Sequence, residues 1–382
     1  MPTPSVADNF DVQMMQRCLE LARQAVGRTS PNPLVGCVIV QEGQIIGEGF
    51  HPAAGQPHAE VFALRAAGDW LCQHSPGDRP ENATLYVNLE PCNHYGRTPP
   101  CTEAILQAGI RRVVVGMVDP DPRVSGSGIE RLRQAGLEVI VGVEAAACQA
   151  LNEAFAWRVT QQRPFGILKY AMTLDGRIAT DRGHSQWITS PPARAWVHQL
   201  RASLDVVIVG GNTVRRDNPL LTSHGVGDHN PLRVVLSRTL DLPATAQLWQ
   251  TDLAPTLILT EQGAESHNAE WLIQQGVEIQ ILPHLTPNAA FELLYQRGLS
   301  AVLWECGGTL AAEALREGCV QKIHAFIAPK LIGGSQFGPV ADLGFAHMDA
   351  ALTLQDLDVT TVGPDLLISG YVAGYPYCQS SV

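Results

Sequence analysis

The chain has 382 residues, 45% of them hydrophobic and 16% charged, and a net charge of −11. That length is too great for one ordinary core and predicts two domains, and the composition excludes a disordered chain. The acidic balance disfavours a nucleic-acid surface, which needs a basic stripe to release counterions. A small phosphorylated ligand stays compatible, because local Arg and Lys decide that.

Residues 1–9 lack a charged region followed by an apolar run, and the longest apolar runs, such as Val113–Val118, are only strand length. No membrane span is expected, and a cytoplasmic location follows from that reading. The nine cysteines are scattered. About seven of them read as small buried hydrophobes, and no disulfide framework is expected. Only Cys92 and Cys101 stand in a polar, turn-rich setting.

Residues 12–26 pattern as an amphipathic helix, with Val12, Met15, Leu19, Ala22 and Val26 on one face and Gly27 at its end. Gly36–Val40 and Gln44–Gly49 read as a hairpin around Glu42 and Gly43. A helix is predicted over His58–Ala67, a strand over Ala83–Leu89, a helix over Thr102–Ala108 and a strand over Arg112–Val118. Ile129–Ala135 and Leu137–Val143 repeat the helix and strand order. Glu144–Thr160 reads as one connecting helix. A second alternating series has strands near 165–171, 205–209, 232–236, 256–260, 277–282 and 300–304. Lys322–Ile332 and Leu352–Ala373 read as long β runs forming an antiparallel edge. The alternation predicts an α/β chain with sheets layered between helices.

His58, Ala59 and Glu60 open a helix. Cys92 follows Glu90 and Pro91 at the end of a strand, and Cys101 follows Pro99 and Pro100 at the start of a helix. One His and two Cys supply three ligands, and a catalytic zinc keeps a further position for water. Both thiols would lie near helix N-termini, where the dipole lowers thiol pKa. Glu60, two residues past His58, is placed to move protons without ligating the metal. This is the H-x-E and P-C arrangement of zinc deaminases, in which activated water attacks an amine-bearing ring carbon. The competing reading is a structural zinc site, or two buried thiols and a surface His. Eight residues separate the cysteines, where the short pattern has two.

Asn88 to Cys101 (NLEPCNHYGRTPPC) closely resembles the signature of the riboflavin-pathway deaminases, in which such an insertion is normal. Ser30 to Gly36 (SPNPLVG) and Gly49 to His51 (GFH) are similar to the same family. Asn93 stands where Ser is more usual. The resemblance implies a cytidine-deaminase-like α/β/α sandwich, with Asn32, His51, His94 and Arg97 near the substrate. Asn32 is suited to read a pyrimidine edge, and His51 or Arg97 to hold a phosphate.

The second half has no full G-x-G-x-x-G. Two glycine pairs end strand-like runs, Gly210-Gly211 and Gly307-Gly308, and the latter opens a helix able to present N–H groups to a phosphate. A plain tight turn fits the same residues. Lys169 to Arg177 (KYAMTLDGR), Ser185 to Ser190 (SQWITS), Leu200-Arg201, Thr213 to Thr222 (TVRRDNPLLT) and Glu305 to Leu310 (ECGGTL) resemble the reductase half of the bifunctional riboflavin-pathway enzymes. That resemblance implies a dihydrofolate-reductase-like α/β domain binding NADPH. By position, Ala171, Trp187, Thr213, Asp217, Ser237, Gly307, Gly308, Thr309, Leu310, Ala311, Ala312 and Glu313 would contact the cofactor. Ser185, Arg201, Leu221, His224 and Glu305 would contact the substrate. His224 stands where that family usually carries Arg, a change from a planar fork to an imidazole.

The resulting expectation is a deaminase domain over residues 1–145, a connecting helix over 146–163 and a reductase domain over 164–376. It would use zinc and NADPH on a small phosphorylated pyrimidine, with neither nucleic acid nor membrane as partner. The apolar tail strand is suited to pair with a second copy. Other readings stay open: a deaminase whose second half is inactive or altered, a nucleotide-sensing protein with structural zinc, and a nucleic-acid deaminase. Glu60 argues against the sensor, because a structural site needs no carboxylate beside its metal.

Overall fold

The computed structural model describes residues 9–74, 82–95, 99–264, 269–334 and 337–374. The chain forms two compact units, Met1–Gln162 and Arg163–Val382. The first runs α1 (Asn9–Arg23), β1 (Gly36–Gln41), β2 (Gln44–Phe50), α2 (Ala59–His74), β3 (Thr84–Leu89), α3 (Cys101–Gln107), β4 (Arg112–Met117), α4 (Ser127–Gln134), β5 (Glu138–Val141), α5 (Ala145–Leu151) and α6 (Glu153–Gln161). Its sheet has the order β2-β1-β3-β4-β5. β1 is antiparallel to β2 and β3, and β3, β4 and β5 are parallel.

Strand alternation decides which helix covers which face. Gly36 faces α1, where an added Cβ would strike the backbone of Cys18 and Ala22. Gly49 points the other way, and a Cβ there would lie 2.6 Å from the carbonyl oxygen of Ala59. Missing side chains therefore let the first turn of α2 rest directly on β2. That close approach fixes the turn that carries His58 and Glu60. On the α1 face, Asp11 accepts from Tyr86 Oη at 2.8 Å and from Arg112 Nη2 at 2.6 Å, tying α1 to β3 and β4.

The expected single helix from Glu144 is two helices. Asn152 leaves helical geometry at φ −109° because its side chain is committed elsewhere. Its Oδ1 accepts from Leu34 N at 2.8 Å and its Nδ2 donates to Leu34 O at 3.0 Å. α5 packs on β3, β4 and α1, so it is a layer of the first unit and not a free tether.

The second unit runs β6 (Phe165–Thr173), α7 (Pro191–Ala202), β7 (Val206–Gly210), α8 (Gly211–Asp217), β8 (Leu232–Leu236), β9 (Thr256–Glu261), α9 (Ala269–Gln274), β10 (Glu278–Leu282), α10 (Pro287–Gln296), β11 (Ala301–Trp304), α11 (Gly308–Arg316), β12 (Lys322–Ala328), β13 (Leu354–Val362) and β14 (Asp365–Val372). The strand order is β10-β9-β8-β7-β11-β6-β12-β14-β13. Pairing is parallel from β10 to β12 and antiparallel through β14 and β13. The tail run splits into a hairpin at Gly363, whose φ of +61° suits glycine. Val206–Val209 and Ala301–Trp304 are buried throughout, as continuous apolar runs covered on both faces should be. The loops beyond the carboxyl ends of β6, β7, β8 and β11 line one region, the usual place for a ligand on a parallel sheet. Among the described residues, no helix is long and apolar enough to cross a membrane.

Candidate active sites

In the first unit, His58 precedes α2, Cys92 follows β3 and Cys101 opens α3. His58 Nδ1 lies 3.3 Å from Cys101 Sγ and 3.5 Å from Cys92 Sγ. The three donor atoms all lie within 4.8 Å of one another. Cys101 N–H donates to Cys92 Sγ at 3.3 Å, so the first amide of α3 faces that sulfur. Hydrogen bonds from Cys101 and then His58 lower the Cys92 thiol to about 4, against the effect of burial. The contact with Cys92 raises His58 to about 9 and pushes the Cys101 thiol up. One imidazole and two sulfurs suit zinc and leave room for a water ligand.

Glu60 is 3% exposed, and its Oε2 has no hydrogen-bond partner among the described residues. Burial pushes its carboxyl above the ordinary range, opposed by the charge of His58. A buried acid with a raised pKa and an uncommitted oxygen is fitted to take and return a proton.

His51 is buried, and its Nδ1 meets the Pro57 carbonyl at 3.0 Å while its Nε2 meets Asn32 Nδ2 at 3.0 Å. The carbonyl requires a proton on Nδ1, so Nε2 accepts from Asn32. Burial also pushes its pKa down. A neutral ring with both nitrogens engaged does not grip a phosphate, so that expectation for His51 is corrected. Its role is to hold the Asn32 amide, whose Oδ1 makes no protein hydrogen bond among the described residues. Asn88 steadies the same loop, accepting from Gly36 N at 2.8 Å and donating to Leu34 O at 2.9 Å. Glu90 accepts from the backbone N–H groups of Asp119, Gly126, Gly128 and Ile129, which fixes the chain entering Cys92. His94 is exposed, and its charge acts on Asp119, which burial raises to about 6. Arg97 lies outside the described residues.

In the second unit, two clefts of about 580 and 630 Å³ share walls at Ile178, Ser185, Thr213, Asp217 and Gly307. Ser185 Oγ donates to Asp217 Oδ1 at 2.9 Å across that shared wall. The first cleft is lined by Gly210, Gly211, Ser237, Gly308, Thr309, Leu310 and Glu313. Gly307 caps α11 without a side-chain bond, and a Cβ there would meet nothing within 4 Å. The leading N–H groups of α11 are thus open to a phosphate, as a dinucleotide requires.

The second cleft holds a buried ionic cluster. Glu305 accepts from Arg201 Nε at 2.6 Å and Nη2 at 3.0 Å, with Lys169 Nζ at 3.5 Å. Burial acts to raise its pKa, but Arg201 and Lys169 outweigh it and bring it to about 2. Burial lowers Lys169. Arg201 Nη1 donates to Thr222 O at 3.1 Å, which completes its fork.

Residues 8–117 match the model of the cytidine and deoxycytidylate deaminase zinc-binding region, and residues 164–368 match the RibD C-terminal domain. The riboflavin biosynthesis protein RibD of Synechocystis sp. is 62% identical over 365 residues, covering 95% of this chain and 97% of its own. The chain belongs to the RibD family. A RibD of Aquifex aeolicus is 42% identical, over 94% of this chain and 98% of its own. A crystal structure from Thermotoga maritima, described as a diaminohydroxyphosphoribosylaminopyrimidine deaminase/5-amino-6-(5-phosphoribosylamino)uracil reductase, superposes with a TM-score of 0.82 at 36% identity, covering 95% and 99% of the two chains. As a member of that family, the chain is a bifunctional enzyme of riboflavin biosynthesis with a zinc-dependent deaminase half and a reductase half.

In the second unit, Lys169, Ala171, Trp187, Arg201, Leu221, His224 and Glu305 line the second cleft, and Ser185, Thr213 and Asp217 stand on the shared wall. Ala171 and Trp187, expected at the cofactor, therefore line the second cleft and not the first. Ala311 and Ala312 line neither. Both are fully buried, because the helix turns them into the core, and their expected cofactor contact is corrected. Sequence reasoning assigned no role to Lys169, Asn88, Glu90 or Asn152. Lys169 was detectable as an ionisable residue in an apolar strand, two positions from Ala171 and hence on its face. Nothing local marked Asn152.

Proposed function

We propose that this enzyme deaminates 2,5-diamino-6-(5-phosphoribosylamino)pyrimidin-4-one and then reduces the ribosyl chain with NADPH, giving 5-amino-6-(5-phosphoribitylamino)uracil. The observation that carries the reading is the buried Glu60 carboxyl, whose Oε2 has no hydrogen-bond partner among the described residues, beside the His58, Cys92 and Cys101 donor set. Zinc, when bound, supplies a Lewis acid that makes water nucleophilic near neutral pH. Glu60 would take a proton from the attacking water and deliver it to the departing amino nitrogen; with the second water proton passing to the ring nitrogen, the exocyclic C–N bond is exchanged for C=O and ammonia leaves. Asn32, held by His51, presents Oδ1 to the N–H edge of the pyrimidine.

For the second step, Gly307, Gly308 and the start of α11 would hold the cofactor's phosphates, and Ser237 its far end. NADPH, when bound, supplies the hydride that opens the sugar at C1′. The Glu305, Arg201 and Lys169 cluster fixes the wall against which the ribosyl chain lies, and Ser185 and Asp217 align the two clefts. Residues 1–145 would carry the first activity and 164–376 the second.

The same reading gives a small phosphorylated pyrimidine as ligand and neither nucleic acid nor membrane as partner, the net charge of −11 disfavouring nucleic acid. It places the enzyme in the cytoplasm. The exposed strand β13 offers its edge to a second copy. Coupled turnover of the diamino substrate tests the function, with ammonia release and NADPH oxidation followed together. Ammonia without NADPH loss would leave a deaminase whose second half does something else.

A further inference from the structure

Arg233, the second residue of β8, is fully buried. Val234 and Leu236 belong to the apolar core of the second unit, so strand alternation turns Arg233 to the other face. There its guanidinium meets three carbonyls. Nη1 donates to Leu220 O at 3.2 Å, and Nη2 donates to Gln250 O at 2.9 Å and to Ala254 O at 2.5 Å. Among the described residues no carboxylate is hydrogen-bonded to it, and Asp252 acts on it through charge alone. Burying a cation without a paired counter-charge is costly, and an apolar side chain would fill a strand interior at lower cost. What sets Arg233 apart from an apolar filler is what it holds.

One of the three carbonyls belongs to a wall of the second cleft, which Asn218, Pro219, Leu220 and Leu221 all line. Asn218 sits at φ +41° and Leu221 at φ +57°. Leucine enters that region only against the clash of its Cβ, so the wall does not keep its shape by local preference. It is held from behind. Arg233 takes Leu220 O, and Arg201 Nη1 takes Thr222 O at 3.1 Å, so Leu221 lies between two carbonyls each fixed by an arginine. Asn218 exchanges two bonds with Gln247: its Oδ1 accepts from Gln247 N and its O from Gln247 Nε2, both at 2.8 Å. Ser223 N donates to Asn230 Oδ1 at 2.8 Å, and Asn230 Nδ2 donates to Leu253 O at 2.9 Å. Arg233 joins these ties into one frame, because Gln250 and Ala254 lie in the same segment between Gln247 and β9.

We propose that Arg233 is a positioning residue for the second unit's reaction: it sets the Asn218–Leu221 wall against which the substrate is aligned, without touching the substrate itself. This rests on the reading of that unit given above. Arg233 is fully buried and is not part of the cleft lining, so its effect passes through the backbone of Leu220. An apolar residue at 233 would leave Leu220 O without its donor, and the wall would relax towards the right-handed backbone that leucine prefers. A displacement of ~1 Å in a positioning element is enough to cost up to about 100-fold. Cofactor binding is spared, since none of Asn218, Leu220, Leu221 and Gln247 lines the first cleft.

The test uses the full-length protein, with amide hydrogen exchange read over residues 218–224 and steady-state kinetics of the deaminated substrate. Arg233→Met removes every donor, and Arg233→Lys keeps a cation with three. In Arg233→Met, kcat/KM for the deaminated substrate should fall by about ten- to a hundredfold, chiefly through KM, and Arg233→Lys should restore part of the loss. KM for NADPH and ammonia release should not move, and exchange should quicken over 218–224 and not in α11. Gln247 is exposed, so Gln247→Ala should fold whatever becomes of the Arg233 variants. It should quicken the same segment and raise the same KM to a smaller degree. Unchanged exchange over 218–224 in Gln247→Ala, or in a folded Arg233→Met, overturns the proposal. So does a loss spread equally over both KM values, which marks a residue kept for packing alone. Turnover by the Arg233 variants with the parent's KM rejects the positioning role and leaves the reductase reading intact. Faster exchange over 218–224 in the variants of a parent that does not reduce the deaminated substrate keeps Arg233 as the prop of that wall and rejects the reading.

Discussion

At the metal centre, an imidazole, two thiols and a carboxyl crowd together, and the donors share protons until a cation arrives. In the second cleft, Glu305 is already matched by Arg201 and Lys169 before any ligand enters. The first site is thus completed by its ligand, whereas the second is a finished piece of the fold that a ligand lies against. Damage to the first should remove chemistry and spare structure. Damage to the second should cost structure along with chemistry.

The largest effect is expected at Glu60. Glu60→Gln keeps the shape and removes the proton carrier, so ammonia release should fall by about 10²- to 10⁴-fold. Bound zinc, measured by metal analysis, and NADPH oxidation with the deaminated substrate should both persist. Retained deamination would end the assigned role. Chelation should likewise silence only ammonia release, and zinc should restore it. The apo site carries protons on His58, raised to about 9, and on the upshifted Cys101 thiol. Zinc must displace them, so its affinity should climb with pH through that value, as competition with a chromophoric chelator would show. A pH-flat affinity would mean that the donors do not hold protons together.

Glu305→Gln tests the other half of the contrast. Two buried cations would lose their counter-charge, at a cost of about 3–5 kcal/mol to the second unit. Its native pKa of about 2 lies below the unfolded value near ~4.3. The stabilisation is therefore present above ~4.3 and is lost as pH falls towards 2. Thermal unfolding across that range should show an acid limb in the parent protein that the variant lacks. A variant that melts like the parent would make the cluster a binding device and not a structural one.

The same contrast governs how much of each site is legible in the sequence. His58, Glu60, Cys92 and Cys101 fall beside strand ends and helix starts, so residue type and placement brought out their chemistry although eight residues separate the two cysteines. Central strands such as β4, β7 and β11 were legible because buried parallel strands are continuous apolar runs. The break at Asn152 was not, since it depends on a bond to Leu34, far away in sequence. His51 had the same difficulty: the resemblance placed it near the substrate as a candidate phosphate ligand, and only its two hydrogen bonds make it a neutral prop for Asn32. The hold of Arg233 on Leu220 O shapes a wall whose left-handed residues, Asn218 and Leu221, no pattern announces.

The smallest effect concerns a place built by the lack of a side chain. Gly307 has φ −71°, an angle that alanine adopts freely, and an added Cβ would meet no protein atom. Gly307→Ala should therefore leave stability unchanged or raise it, by at most about 1 kcal/mol, through the lost freedom of the unfolded chain. The methyl would instead stand in the cleft over the first N–H groups of α11. KM for NADPH should rise a few-fold while ammonia release stays the same. A protein that melts no lower yet binds its cofactor less well is the signature of a glycine kept for a ligand. If KM does not move, the dinucleotide lies elsewhere along the cleft, and Gly307 serves only the turn between β11 and α11.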